Sequence, residues 1–205
     1  MRLRTLLTYL SLLPLSACTR CKAYDNNEEF ARAQLPAYTE TGANTLGCVL
    51  GPQTWTVLGS SLEPRHYGSA WSPNSLIING PYFITGPNAR QPLVEVHGRM
   101  TGVRDSKAFY DTDVELAFTL TDTLGGLHLL GADSVRYPPR AEYLAAGSFI
   151  DGRGFVSSTR HPVRLLVRKL NRQQRIVSGT FSGMLYQHSG SDSLAVRDGR
   201  FDVKY

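Results

Sequence analysis

Asp113-Val114-Glu115-Leu116-Ala117-Phe118-Thr119-Leu120-Thr121 is the stretch of sequence from which the fold is most directly predicted. Every second residue in it is large and apolar: Val114, Leu116, Phe118 and Leu120. A repeat of two is that of a β-strand, because successive side chains of a strand point to opposite faces of the sheet. The stretch therefore predicts a strand with one face in the core and the other face, which carries the acids, towards solvent.

Short apolar runs of the same kind lie on both sides of this strand. They span 46–50, 55–58, 75–79, 82–84 and 93–97 before it, and 163–170, 176–186, 194–196 and 201–203 after it. Turns rich in Gly, Pro, Asn and Asp separate the runs, and the connections are too short for the crossover helices of a parallel sheet. The sequence therefore predicts an all-β fold, an antiparallel β-sandwich or barrel of roughly 8–11 strands.

Two local features leave alternatives open within this prediction. Asp198-Gly199 fits either a tight hairpin turn or a bulge within one long last strand. The acids Asp198 and Asp202 are interpreted as part of this turn chemistry rather than as a calcium loop. The segment 141–149 could hold a helical turn, which Gly147 would limit.

The start of the chain has the pattern of an export signal. Two arginines precede an apolar run at 6–15, which is much shorter than the roughly 20 residues that a bilayer-crossing helix needs. Leu15-Ser16-Ala17-Cys18 resembles the bacterial lipoprotein lipobox. The resemblance implies that residues 1–17 are a lipoprotein signal peptide, and that Cys18 is lipidated and becomes the mature N-terminus.

The rest of the chain divides into a tether and a folded domain. Residues 18–45 are polar and turn-rich, with a short helix starting near Asn26, and predict a lipidated tether; residues 46–205 are the predicted β domain. An acylated Cys18 implies the lipid bilayer as a partner. Thr19 stands where inner-membrane lipoproteins carry Asp, and no clear acidic surface signal follows. We therefore expect an outer-membrane location, on the periplasmic face.

The two remaining cysteines allow two interpretations. Export leads to a compartment that permits disulfides, and a bridge between Cys21 and Cys48 would add roughly 3–4 kcal/mol by restricting the unfolded chain. Alternatively, Cys48 is a small buried apolar side chain and Cys21 is a free thiol. Both interpretations stay open, since a bridge needs a geometry that no sequence supplies.

Composition indicates a packed and moderately basic domain. The chain has ten tyrosines, eight phenylalanines, 19% charged residues and a formal net charge of +5, which together favour a folded core over disorder. Its lysines and arginines form no long run, and no zinc-finger or RNA-recognition signature occurs. No nucleic-acid partner is therefore expected.

No motif in the sequence predicts catalysis or a bound cofactor. The zinc-protease H-E-x-x-H, the G-x-S-x-G nucleophile elbow and the phosphate-binding G-x-x-x-x-G-K are absent. The histidines are scattered, at His66, His97, His128, His161 and His188. Asp111, Asp113 and Glu115 share a strand face that could begin a metal site, but we interpret this face as solvated. We therefore predict no catalytic, cofactor-binding or metal-binding residues.

Two arginines are the remaining candidates for a binding surface. Arg164 and Arg168 share a strand face with Leu166, and they could mark a site for an anionic glycan. An ordinary solvent-facing strand edge is the alternative.

Three functions are compatible with these features. The first, which we expect, is a non-enzymatic lipid-anchored envelope module that binds an unknown envelope protein or glycan. The second is a carrier of a small apolar ligand, in a barrel cavity lined by Phe118, Leu165 and Phe181. The third is a hydrolase of envelope glycan or ester, which would need a carboxylate pair or a Ser–His contact.

Both ends of the predicted β domain resemble a family of small Bacteroidota lipoproteins. Thr39-Glu40-Thr41-Gly42-Ala43-Asn44-Thr45-Leu46-Gly47-Cys48 is similar to that family's T-x-T-G-x-N-T-F-G-C opening, and 176–182 with 196–205 is similar to its I-S-G-T-F … I-T-D-G-R-F-D closing hairpin. The chain departs from the pattern at Leu46, where Phe is usual, and at 51–55, which replace a V-N-G-x-x-W turn. The family is a domain of unknown function, so the resemblance implies a β-rich lipoprotein and no activity.

Overall fold

The structure describes most of the predicted β domain. It is a computed structural model, and it describes residues 33–57, 76–83, 92–104, 107–120, 126–131, 142–148, 152–187 and 189–205. The predicted signal peptide, Cys18, Cys21 and the short helix predicted near Asn26 lie outside these residues. Within the described ranges, no helix has the length and apolar character needed to cross a membrane.

Every regular element in the described part of the chain is a β-strand, which confirms the all-β prediction. The strands are β1 Thr45–Leu50, β2 Gln53–Thr56, β3 Leu76–Phe83, β4 Pro92–Arg104, β5 Lys107–Thr119, β6 Leu127–Leu130, β7 Tyr143–Ser148, β8 Gly154–Val156, β9 Val163–Asn171, β10 Ile176–Gln187 and β11 Ser193–Lys204.

The strands form one antiparallel sheet that branches at β10. The main order is β2-β1-β11-β10-β8-β7-β5-β4-β3. Strand β10 is long enough to have two neighbours on one edge: its first half pairs with β9, which also pairs with β6, and its end pairs with β8. The sheet curls into a half-barrel. Because of this curl, strands that are distant in the sheet order face each other across one core.

Side chains fill the inner side of the half-barrel. The ring centroids of Phe118 on β5 and Phe201 on β11 are 5.2 Å apart, so these two strands pack against each other across the core. Trp55 is fully buried, and its indole Nε1 donates a hydrogen bond to the Thr112 carbonyl at 3.3 Å, which fastens β2 to β5. Other buried members of this core are Leu46, Val96, Leu116, Leu144, Leu165 and Val177.

Strand β5 contains residues 113–119 of the alternating stretch from which the fold was predicted. Its apolar residues Val114, Leu116 and Phe118 are 0–1% exposed. Within the segment 141–149, which could have held a helical turn, Tyr143–Ser148 form the strand β7 instead, and its Leu144 pairs with Leu116. The ladder and the burial of Leu144 outweigh the modest helical preference of the neighbouring alanines.

Asp198 and Gly199 form a β-bulge within one long last strand, and not a tight hairpin turn. Strand β11 is unbroken, and its pairing with β10 shifts register between Phe181 and Gly183, opposite Asp198. Asp198 has a left-handed φ of +51°. A Cβ on Gly199 would lie 2.4 Å from the Phe181 carbonyl oxygen, so the bulge requires glycine at this position.

Residues 33–44 are named here the strap, and the part from Pro36 to Ala43 contacts side chains of β9, β10 and β11. The Arg200 guanidinium donates a hydrogen bond to the Pro36 carbonyl at 3.3 Å, and the Lys169 ammonium donates one to the Glu40 carbonyl at 2.7 Å. The predicted tether is therefore bound to the sheet in this part rather than slack.

Asp202 of β11 holds the strap in place. It is 1% exposed, and its carboxylate accepts hydrogen bonds from the Thr39 hydroxyl at 2.6 Å and from the N–H groups of Thr41, Gly42 and Ala43 at 2.9, 2.8 and 3.1 Å. Burial raises the pKa of Asp202, but these hydrogen bonds outweigh it and hold the pKa below its ordinary value. The two sequence segments that carry the family resemblance thus meet in one structural unit.

Cys48 belongs to the core. It is fully buried on β1 and is a free cysteine, and burial raises the pKa of its thiol. This agrees with the interpretation in which Cys48 packs as a small apolar side chain. Cys21 lies outside the described residues, so the bridge between Cys21 and Cys48 stays a prediction.

Candidate functional site

The outer face of β4 and β5 brings together carboxylates and one imidazole. Glu95, His97, Asp113 and Glu115 point away from the core, because they alternate with core residues of the same strands: Val94, Val96, Met100, Val114, Leu116 and Phe118. The pairing places His97 opposite Glu115, and Arg99 opposite Asp113. Glu95, His97 and Glu115 are named here the Glu–His cluster, and each offers one ligand atom within 4.8 Å of the others.

The Glu–His cluster is buried although it lies on the outside of the sheet. Glu95 is 0% exposed, His97 is 5% exposed and Glu115 is half-buried. A second, smaller apolar cluster beside it contains Leu93, Ala117 and Tyr143. The expectation of a solvated outer face is therefore wrong for this part of the sheet. Charged groups buried in this way need hydrogen bonds or counter-charges, because an isolated buried charge is very costly.

Hydrogen bonds orient two members of the cluster. The Nε2 atom of His97 lies 3.2 Å from Oδ2 of Asp113. With Nε2–H directed at this carboxylate, the lone pair of the ring is on Nδ1. The Tyr143 hydroxyl donates a hydrogen bond to Oε1 of Glu115. Chemically, this arrangement suits the binding of a metal ion, since an imidazole and two carboxylates converge with their orientations fixed.

Strand register explains why this cluster is not predicted from the sequence. Glu95 with His97, and Asp113 with Glu115, each put two polar groups on one strand face, a spacing that is visible in the sequence. Only the pairing of β4 with β5 brings the two pairs together, and a single sequence does not reveal that register. The side chain of Asp111, the third acid of the predicted face, lies outside the described residues.

A second buried imidazole forms a pair with Glu142. Nδ1 of His128 on β6 lies 2.8 Å from Oε1 of Glu142, and the same oxygen accepts a hydrogen bond from the Thr119 N–H at 2.7 Å. Burial raises the pKa of Glu142, but the hydrogen bonds from His128 and Thr119 outweigh it and lower the pKa. The pair fastens β6 to the end of β5, with which β6 shares no ladder. We assign it a structural role.

A surface groove of about 580 Å³ crosses β6, β9, β10 and β11 next to the strap. Its lining includes two arginines, Arg164 and Arg200, and Tyr38 of the strap. Leu127, which is 56% exposed, supplies apolar surface. The remaining lining residues are Leu166, Thr180, Phe181, Ser182, Asp198 and Gly199. This feature is named here the arginine groove.

The arginine groove contains part of the binding surface that the sequence suggested. Arg164 and Leu166 line it, whereas Arg168 is not among its lining residues. Arg200 was not expected there; its guanidinium is held by the carbonyls of Pro36 and Asp198, each at 3.3 Å. The lining therefore comes from segments far apart in the sequence, of which only the pair on β9 could be recognised in advance.

No protein-family model matches this chain, and neither a curated protein nor a solved structure matches it. What the fold itself defines is a class, an all-β domain built on one curled antiparallel sheet. The arginine groove and the Glu–His cluster are two features of its described residues with ligand-binding chemistry.

Proposed function

We propose that this protein is a lipid-anchored lipoprotein of the cell envelope, and that its β domain is a non-enzymatic binding module. The lipobox that ends at Cys18 supports the anchor, because an acyl chain there would hold the domain at a bilayer. Thr19 favours the outer membrane, with the domain on the periplasmic face. The observation that carries the binding role is the arginine groove, since it combines cationic, aromatic and apolar groups on one exposed surface.

The chemistry of the groove suits an anionic glycan. The guanidinium group of Arg164 can donate paired hydrogen bonds to a carboxylate or a phosphate. Arg200, whose Nε and Nη1 donate to the carbonyls of Asp198 and Pro36, adds a second positive charge beside it. Tyr38 and Leu127, which are 40% and 56% exposed, offer apolar surface to the C–H faces of sugar rings. Asp198 also lines the groove and partly offsets the two positive charges. This favours a ligand with widely spaced negative charges over a dense polyanion.

The two other functions have weaker support. A carrier would leave unfilled space beside Phe118, Leu165 and Phe181, but these side chains are 0–2% exposed and packed together in the core. A hydrolase could draw on the carboxylates of Glu95 and Glu115, yet Glu95 is 0% exposed, so a glycan could not contact it in this conformation. Neither observation favours these functions over a binding module.

Glutamine in place of Arg164 should weaken the binding of an acidic oligosaccharide, such as an oligomer of galacturonic acid, by about tenfold or more. The reason is that a hydrogen bond to a charged group contributes about 1.5–3 kcal/mol. Titration calorimetry with the full chain would measure the affinity. Arg160→Gln is the matched control, because Arg160 is an exposed arginine that is not among the lining residues. Equal weakening in both variants, or no binding by the wild type, would contradict the assignment.

The Cys18→Ala variant should move from the membrane fraction to the soluble fraction of cells that express the full chain. Without the thiol no acyl chain can be attached, and the protein loses its hold on the bilayer. Fractionation followed by immunoblotting measures the distribution. Cys21→Ala, three residues further on, is the control and should stay with the membranes. Unchanged fractionation of the Cys18→Ala variant would refute the anchor.

A further inference from the structure

We propose that the Glu–His cluster binds a divalent transition-metal ion of the Zn²⁺ type. Glu95, His97 and Glu115 supply two carboxylate oxygens and one imidazole nitrogen, all within 4.8 Å of one another. Zn²⁺ bonds of about 2.0–2.2 Å draw the ligand atoms to about 3.5 Å apart, so side-chain movements of roughly 1 Å complete the site. The site requires neither acylation of Cys18 nor the arginine groove, so its test is independent of those given for the proposed function.

Neighbouring side chains orient the ligand atoms. Asp113 Oδ2, at 3.2 Å from His97 Nε2, favours the tautomer in which Nδ1 carries the lone pair that a metal needs. His97 Nδ1 and Glu95 Oε1 are both fully buried. The Tyr143 hydroxyl donates to Glu115 and restrains that carboxylate. Asp113 and Tyr143 are therefore positioning residues, of the kind that sets ligand geometry and basicity in protein metal sites.

The charge on this face also favours a cation. Glu95, Asp113 and Glu115 supply three carboxylates, and Arg99 supplies one guanidinium to the same face of β4 and β5. These four groups sum to −2 when His97 is neutral, a charge equal and opposite to that of a divalent ion. The attraction between a divalent ion and such carboxylates is stronger at a buried site than in water.

The imidazole decides the class of metal. Ca²⁺ and Mg²⁺ take oxygen ligands, and Mg²⁺ also retains several waters. An imidazole with two carboxylates instead suits Zn²⁺ and similar transition-metal ions, with a further position open to water. Zn²⁺ should therefore bind, and an excess of Ca²⁺ or Mg²⁺ should not displace it.

The first experiment uses the full mature chain in detergent micelles, stripped of metal and carrying Cys21→Ser to remove a thiol that could bind Zn²⁺ by itself. Competition with a chromogenic chelator should give one Zn²⁺ per chain. The Tm should rise by roughly 5–10 °C at a free Zn²⁺ concentration of 100 times Kd. Co²⁺ in the same site should give a visible spectrum without a thiolate charge-transfer band. Failure to bind Zn²⁺, displacement by Ca²⁺, or a thiolate band would each overturn the proposal.

Variants locate the ion within the chain. Glu95→Gln and His97→Gln should abolish saturable binding, and Asp113→Asn should weaken it by about 10–100-fold. His161→Gln and Asp192→Asn make similar changes at exposed positions outside the cluster and should bind as the wild type does. Circular dichroism checks the fold of each variant, and Glu115→Gln, at a half-buried position, replaces any that does not fold. Wild-type affinity in the cluster variants would overturn the proposal.

Discussion

Alanine in place of Asp202 is expected to lower the free energy of unfolding by about 3–5 kcal/mol. The carboxylate accepts hydrogen bonds from the Thr39 hydroxyl and from the N–H groups of Thr41, Gly42 and Ala43, and the residue is 1% exposed. Removing it leaves four donors without their acceptor at once. A stranded buried donor costs about 1–3 kcal/mol, and we expect the lower end of this range for each of the four, because Thr41 and Ala43 are exposed and the other two are half-buried. Part of this cost is relieved if the strap moves away from β11, which would itself expose apolar surface.

The pKa of Asp202 gives this effect a defined pH dependence. A carboxyl whose pKa in the folded state is below its unfolded value of about 3.9 stabilises the fold fully above that value. The contribution is lost as the pH falls through the lower pKa of the folded state. The Asp202→Asn variant keeps the shape but not the charge. Its stability should differ most from wild type above about pH 5 and converge with it in strong acid.

Urea denaturation followed by tryptophan fluorescence would measure both effects. Asp192→Ala is the control, since Asp192 is exposed and its loss should change stability by no more than about 0.5 kcal/mol. A loss below about 1 kcal/mol in Asp202→Ala, the contribution of one ordinary hydrogen bond, would show that the carboxylate does not hold the strap. A difference between wild type and Asp202→Asn that is independent of pH would contradict the lowered pKa.

The second large effect is expected for Gly199→Ala, which should lower the free energy of unfolding by about 3 kcal/mol. A Cβ at this position would lie 2.4 Å from the Phe181 carbonyl oxygen and 2.5 Å from Cδ2 of the Phe181 ring. The oxygen belongs to β10 at the register shift, so it cannot retreat without disturbing the ladder between β10 and β11. The added methyl group must therefore distort the bulge.

Gly154→Ala is the matched control for this prediction. Gly154 is also a strand glycine, on β8, but nothing lies within 4 Å of the place that its Cβ would take. Alanine there should be neutral or should stabilise by about 0.4–1 kcal/mol, because it restricts the unfolded chain. Thermal unfolding should show a Tm lowered by roughly 6–12 °C for Gly199→Ala alone. Equal Tm values for the two variants would contradict the role assigned to the bulge.

The strands that the sequence predicts well are those whose pattern is local. The alternating run 113–121 and the apolar runs 163–170 and 176–186 correspond to β5, β9 and β10. Strands β6, β7 and β8 are not predicted, because they are short or contain alanine and glycine, which have little strand preference. These three form because longer strands offer them ladder partners: β9 for β6, β5 for β7, and β10 for β8.

The sites are harder to predict, for two physical reasons. The Glu–His cluster needs both a register and a buried environment, and the alternation around Glu115 gives no sign that its polar face is covered. The arginine groove joins Arg164 to Arg200 and Tyr38, which lie on β9, β11 and the strap. Of these three residues, the spacing along the chain could indicate only Arg164 as part of a binding surface. The predicted lipidation of Cys18 is the opposite case, since this prediction rests on a short contiguous motif, and Cys18 lies outside the described residues.

The hydrogen bonds between Asp202 and the strap affect how the chain folds while it is being synthesised or exported. Its hydrogen bonds to Thr41, Gly42 and Ala43 span 161, 160 and 159 residues, and β1 finds a ladder partner in β11 at the far end of the chain. A polypeptide that emerges N-terminus first, from a ribosome or a translocation pore, therefore cannot complete this part of the sheet until β11, Ser193–Lys204, has emerged. Such non-local contacts form slowly, so the chain stays incompletely folded until β11 is present. Products that end before Asp202 should never complete folding and should be degraded by proteases.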